Sequence, residues 1–240
     1  MIVTNITMEA FERGLSRTRT VIVPFGSVEE HGMHLPLGTD TFHAYELAKK
    51  TASKIPVFVM PPMWYGLCRS TSMHPGTIGI SSTSLRMVVM DMCRSMYGQG
   101  LRNFILLSGH AGGTHMSTIL DSADTLMEEL QDARFAVLSI LDLIAGLEKG
   151  IVETKGDAHA GEVETSLIQY LKPDLIDGSS PREFPQFPKF ILVRNKVRYW
   201  PGGVWGDPSK SSPLKGSRIL EEEAELLVGL VKTMEGFEEE

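Results

Sequence analysis

"TVIVPFGSVEEHGMHLPLGTD", residues 20–40, decides the fold because it changes character partway along. Its opening, residues 20–25, is almost continuously apolar and rich in β-branched side chains. That is the pattern of a strand buried on both faces of a parallel sheet. From Gly26 onward the same stretch carries Glu29, Glu30, His31, His34 and Asp40. A buried strand opening straight into carboxylates and imidazoles puts ionisable groups at its carboxyl end, where open parallel sheets bind ligands.

Outward from this stretch, Tyr45, Ala48, Ala52 and Ile55 recur at helical spacing, with Thr39 and Asp40 as candidate N-caps. "PVFVMPP" (56–62) reads as a strand. "STSLRMVVMDMCRSMYGQG" (82–100) reads as a helix with Leu85, Val88, Met92 and Met96 on its buried face and a glycine stop. "NFILLSGH" (103–110) is a second buried strand, followed by a helix through Met116, Ile119, Ala123, Leu126 and Leu130. "RFAVLSILDLI" (134–144) is strand-like, and "GEVETSLIQYL" (161–171) is a helix stopped at Lys172-Pro173. Strands alternating with helices predict an α/β fold, a sandwich around a mainly parallel sheet. Residues 1–240 read as one domain. Seven prolines mark an excursion at about 173–217, expected to carry a hairpin or extended ribbon. An amphipathic helix (217–235) and a frayed tail, "GFEEE", close the chain.

A net charge of −7 argues against a nucleic-acid partner, which requires a broad basic surface, but a local group of cations can still bind a small anion. Two cysteines, Cys68 and Cys93, form no disulfide framework and match no zinc spacing, so a reducing compartment is expected. The first residues lack a basic segment followed by an apolar run, and no stretch approaches a membrane span. The expectation is a cytoplasmic protein with no membrane partner.

Six of the seven histidines fall in three blocks, "EEHGMHLPLGTDTFH", "SGHAGGTH" and "DAHAGEVETS", each where a strand gives way to a loop or helix. Glu29 and His31, two apart, project to the same side of an extended segment. A mixed imidazole and carboxylate set without thiolate suits zinc, iron(II) or manganese(II). His34 reads as a partner that orients a ligand. His43 and His115 lie on helices, where they face the site or pack, and His74 sits in a loop. The methionines of 87–96 read as core packing.

These motifs resemble those of the creatininase family of metal-dependent amidohydrolases. The resemblance spans nearly the whole chain and rests on "PFGSVEEHGMHLPLGTD", "SGHAGG", "HAGEVETS" and "GVWGDPSKSSPLKG". It implies the three-layer αβα sandwich of the creatininase fold, which agrees with the alternation of strands and helices, and two divalent cations per chain. Glu29 and His110 would hold one cation and His31 the other, with Asp40 bridging. Gly112 stands where creatinine hydrolases have a Glu, and Glu162 is its expected replacement. His159 would do acid/base work, with Glu164 orienting a ligand or His159 itself.

Glu30, Ser108 and Gly113 depart from the common Gln, Asn and Asn of the family pattern. "SGHAGGTHM" and "FPKFILVRNKVRYWPGGVWGDP" look similar to an archaeal branch that deformylates a ring-opened pyrimidine nucleotide in riboflavin and deazaflavin biosynthesis, for which iron(II) is the implied metal. A ribosyl phosphate would need cations, for which Arg69, Arg194, Lys196, Arg198 and Lys215 are candidates. His74, Trp200 and Trp205 are candidates for contacting the pyrimidine. Self-association into a homo-oligomer is expected by analogy. Two alternatives stand: creatinine or another small amide as substrate, and a non-catalytic nucleotide-binding module built on "SGHAGG".

Overall fold

The structure, a computed structural model, describes residues 1–147 and 150–237. In chain order its elements are α1 (Met8–Leu15), β1 (Thr20–Phe25), α2 (Thr39–Lys54), β2 (Phe58–Val59), α3 (Ser82–Gly98), β3 (Asn103–Ser108), α4 (Gly113–Glu129), β4 (Arg134–Ser139), α5 (Ile140–Ile144), α6 (Glu162–Leu171) and α7 (Pro213–Gly236). The four strands are parallel and run β2-β1-β3-β4 across the sheet. Val21 pairs with Phe104, and Phe104 with Phe135, whose rings stack at 4.9 Å.

A parallel sheet has to be covered on both faces, and alternation along its central strands does this. Ile22, Ile105 and Leu107 point to one side, against Ala44, Leu47 and Ala48 of α2, Val163 and Leu167 of α6, and Leu227 and Val231 of α7. Val21, Val23, Phe25, Phe104 and Leu106 point to the other, against Leu85, Val89 and Cys93 of α3 and Ile119, Ala123 and Leu126 of α4. Two separate apolar layers sandwich the sheet, so the expected αβα architecture is the one formed. No helix among the described residues is long and apolar enough to cross a membrane.

The structure corrects four local expectations. The buried stripe of α3 is Leu85, Val89, Cys93 and Met96, while Val88 is 36% exposed. Met87, Val88, Val89, Met90 and Met92 put apolar side chains on several faces of the helix, and its register on the sheet selects one stripe. The strand-like reading of 134–144 breaks at Ser139, where Asp142 Oδ2 accepts the Ser139 N–H and hydroxyl, both at 2.8 Å, and α5 begins. Helix α2 is capped at Gly38 without a side-chain bond, so neither Thr39 nor Asp40 is its N-cap. The excursion forms no hairpin. Isolated bridges take its place, His159 to Trp205 against the body and Glu183 to Gly206 within the excursion, since closely spaced prolines withhold the N–H groups that a ladder needs. The tail, from Glu238 on, lies outside the described residues.

A buried ion pair ties the site-bearing helix α2 to α7, apart from the more exposed pairs of Lys50 and Lys54 with Glu221 and Glu225. His43 Nε2 lies 2.8 Å from Glu223 Oε2, both side chains are buried, and His43 Nδ1 and Glu223 Oε1 have no hydrogen-bond partner. Burial opposes charge on His43, but the Glu223 carboxylate prevails and raises the imidazole above its ordinary value. A histidine raised in the fold contributes fully below its unfolded value and loses that contribution as pH climbs through the folded one. Glu223→Ala is expected to lower urea stability by about 3–5 kcal/mol at neutral pH. The gap from wild type should narrow as pH rises through the raised His43 value. An unchanged gap across alkaline pH would contradict the charged pairing.

Candidate metal centre

Close backbone approach at the strand ends assembles the site. A Cβ on Gly109, just after β3, would lie 2.0 Å from the Asp40 carbonyl oxygen, so only glycine lets that strand end meet the first turn of α2. The contact brings Asp40 to His110 and to the loop after β1. Asp40 Oδ1 is 2.9 Å from His31 Nε2, and Asp40 Oδ2 is 3.3 Å from His110 Nδ1. Glu29 Oε2 is 2.6 Å from His110 Nδ1, and Glu164 Oε2 is 3.7 Å from His31 Nε2. The Ser27 hydroxyl donates to Asp40 Oδ2 at 2.5 Å, and Thr71 donates to Glu29 Oε1. All of these ionisable side chains are buried.

The ring tautomers show what kind of charge the cluster is built for. His31 uses Nδ1–H on the Glu29 carbonyl at 3.0 Å, and His110 uses Nε2–H on the Leu67 carbonyl at 3.3 Å. The remaining nitrogen of each ring faces carboxylate oxygens. A lone pair turned toward a carboxylate needs positive charge between them, supplied by a proton or by a metal ion. In the protein alone the proton serves. Burial opposes charging of His31, but Asp40 and Glu164 raise it to about 10, and Glu29 and Asp40 raise His110 well above its ordinary value against the same burial. Asp40, which burial alone would raise, is held well below the carboxylate range by His31 and His110, and Glu29 is lowered by His110 against its own burial.

A divalent cation meets the same need with neutral rings, and a ring N–H anchored on a backbone carbonyl is how metal-binding histidines are held. Two donor groups form, each with its ligand atoms within 4.8 Å of one another: Glu29, Cys68 and His110, and His31, His159 and Glu164. Asp40 reaches the histidine of each. The donor set therefore fits two cations sharing one carboxylate.

Glu29, His31, Asp40, His110 and Glu164 are brought together. Glu162 is not. Its carboxylate accepts the backbone N–H groups of Glu153 and Thr154 and the Lys215 ammonium at 2.7 Å, so it serves as an anchor between α6 and α7. Two residues on, Glu164 turns into the cluster and accepts the Ala160 N–H, with Ala160 in the left-handed region at φ 48°. His159 gives Nε2–H to the Glu30 carbonyl at 2.8 Å and lies against His31, ring centroids 4.2 Å apart.

A cavity of about 250 Å³ opens over the cluster, lined among others by Arg69, His159, Trp200 and Trp205. His74 stands behind it, donating Nε2–H to the Trp200 carbonyl at 2.7 Å. Lys196 reaches the Arg69 carbonyl at 2.8 Å. Arg198 and Arg194 are exposed and do not line the cavity, and Lys215 is committed to Glu153 and Glu162.

Two histidines act as neutral scaffolding. His115 Nδ1 accepts the Leu67 N–H, leaving Nε2–H for Ser108, whose hydroxyl donates to the His110 carbonyl at 2.7 Å. His34 links Ser180 and Thr165, each at 2.9 Å. Burial pushes His115 down to about 3 and His34 to about 4. Sequence reasoning missed Cys68, whose sulfur joins a donor group although its loop has no zinc spacing, and the Leu67 backbone, which no side-chain motif could reveal.

The sandwich and the mixed imidazole–carboxylate cluster at its strand ends fit the class of metal-assisted hydrolases. Comparison with known proteins narrows the class. The model of the creatininase family, described as creatinine amidohydrolase, matches residues 4–231. The chain is 27% identical to the mycofactocin precursor peptide peptidase of Mycolicibacterium smegmatis, over 84% of this chain and 80% of that protein. It is 26% identical to the creatinine amidohydrolase of Pseudomonas putida, over 92% of each. A mutant creatininase of Zn–Zn type superposes with TM-score 0.86 at 25% identity, covering 96% of both chains. A manganese creatininase superposes with TM-score 0.85 at 24% identity, covering 96% of this chain and 97% of that one. The chain belongs to the creatininase family of amidohydrolases.

Two substitutions separate the neighbouring glutamates. Glu164→Gln is expected to lose about one equivalent of bound metal, read by elemental analysis. Glu162→Gln should keep the metal and instead lower urea stability. The reverse result would restore Glu162 as the ligand. His115→Phe, which cuts the link through Ser108 and Leu67, should weaken metal affinity by about 10–100-fold in a competitive chelator titration.

Proposed function

We propose that this amidohydrolase removes the formyl group of 2-amino-5-formylamino-6-ribosylaminopyrimidin-4(3H)-one 5′-monophosphate, releasing formate, in riboflavin and deazaflavin biosynthesis. Two divalent cations would serve it, iron(II) ahead of zinc or manganese. The observation that carries the reading is a bridged carboxylate–imidazole cluster beneath a cavity walled by two tryptophans and an arginine. Bound divalent cations supply activated water and polarise the scissile carbonyl.

The chain's own residues do the rest. Glu29, His110, His31 and Glu164 would hold the cations, and Asp40 would set their spacing. His159 has Nε2–H fixed on the Glu30 carbonyl, which leaves Nδ1 as the ring nitrogen to hold the proton that the departing ring amine requires. Trp200 and Trp205, 5.9 Å apart at 80°, offer one flat face and one edge to a planar pyrimidine. Arg69 is exposed at the cavity, where a phosphate can reach it. Burial, then the nearby Arg69 charge, lowers the Lys196 amine, so an anion placed between them relieves like-charge repulsion. The exposed Phe190, Ile191 and Leu192 of the excursion are the apolar surface that a second copy would cover in a homo-oligomer.

Peptide or creatinine hydrolysis is the second reading, favoured by the activities named for the relatives. Against creatinine, Gly112 stands where a creatinine hydrolase is expected to have a Glu, and a Cβ there would lie 2.5 Å from His110 Nε2. A purely binding module has no support once the chain is placed among amidohydrolases.

Anaerobically purified protein offered the formylated nucleotide, creatinine and short peptides should release formate from the first. Ring opening of creatinine without formate would reverse the ranking. His159→Gln should lower kcat by about 10²–10⁴-fold with metal content unchanged. Loss of a metal equivalent in that variant would make His159 a ligand.

A further inference from the structure

Among the described residues, Cys68 is a strong donor beside the cluster that neither the sequence motifs nor the proposed mechanism uses. Its side chain is buried, and its sulfur groups with a Glu29 carboxylate oxygen and a His110 ring nitrogen within 4.8 Å. The backbone on which it sits is fixed by the site itself. Leu67, the preceding residue, gives its N–H to His115 Nδ1 and receives Nε2–H of His110 on its carbonyl. Across from it, the Ile80 N–H bonds to the Gly66 carbonyl at 2.9 Å, and a Cβ on Gly79 would lie 3.3 Å from the Cys68 N. The backbone that carries the sulfur is therefore held beside His110. Cys93, the other cysteine, packs among Leu85, Val89 and Met96 and joins no donor group among the described residues.

Ligand atoms 2.0–2.3 Å from a tetrahedral cation lie about 3.5 Å from one another, and the three donor atoms here lie within 4.8 Å of one another. We infer that Cys68 is a thiolate ligand of the cation held by Glu29 and His110, giving that position one soft donor and the His31–Glu164 position none. This rests on the two-cation reading above and deepens it. Ligation exchanges the thiol proton for the metal, and the proton passes to solvent. A thiolate at one position favours zinc, cobalt or iron(II) there over manganese, so the two positions differ in chemical character.

The test uses the full chain stripped of metal and titrated with Co(II) alone. Wild-type protein and Cys93→Ser should show visible d–d absorption together with a near-ultraviolet sulfur-to-cobalt charge-transfer band. Cys68→Ser should keep the visible absorption and lose the charge-transfer band, and its preference for Zn(II) over Mn(II) should fall about tenfold or more. Visible absorption without the sulfur band in the wild type overturns the assignment of Cys68 and leaves the metal centre standing. No cobalt bound at all overturns both. Should Cys68→Ser fail to fold, the wild-type and Cys93→Ser spectra still decide, because a sulfur band in Cys93→Ser can come only from Cys68.

Discussion

Positive charge is the constraint on which the carboxyl end of this sheet depends. Glu29 and Asp40 are buried against His110, and Asp40 and Glu164 against His31, and an uncompensated buried carboxylate costs several kcal/mol. His31 and His110 are placed to carry that charge, either as imidazolium ions or as neutral donors to metal. The loop after β1, the first turn of α2 and the turn after β3 can all converge only because of this compensation. Gly109 provides the room for it and the Ser27 and Thr71 hydroxyls satisfy carboxylate oxygens left over.

Most of this was legible in the sequence, for identifiable reasons. The strands announce themselves because a sheet covered on both faces needs unbroken apolar runs, and β1 and β3 are buried at every position. Glu29, His31, Asp40 and His110 were legible because strand ends in a parallel sheet point the same way. What failed depended on choices that local pattern does not contain. Glu162 and Glu164 are two apart at the start of one helix. Lys215, 53 residues away, captures the first and leaves the second for the cluster. The α3 stripe was ambiguous because Met87, Val88, Val89, Met90, Met92 and Cys93 follow closely on one another and face several sides of the helix. Cys68 went unnoticed because its partners come from β1 and β3, not from its own neighbourhood.

The proline-rich excursion owes its order to contacts made one at a time, without a ladder. Trp200 illustrates the principle: its indole N–H donates to the Val204 carbonyl, its own carbonyl receives His74, and its ring meets His159 edge-on at 5.2 Å. Behind it, Glu30 Oε1 and His74 Nδ1 face each other 4.0 Å apart without partners. The contacts made at residues 200–206 hold His159 and the cavity wall in place.

The histidines show why spacing alone cannot separate ligands from scaffold. His31, His34, His110 and His115 are all buried and all lie in the motif blocks, yet burial wins for two and loses for two. His34 meets only hydroxyls, and His115 meets a hydroxyl and a backbone N–H; neither has a partner that stabilises charge, so both remain neutral. His31 and His110 each give one N–H to a carbonyl and turn the other nitrogen to carboxylates. The distinction lies in what faces the second ring nitrogen, and that partner arrives from another strand end. A scaffold histidine thus fixes where a ligand histidine stands, and a ligand histidine fixes where positive charge must reside.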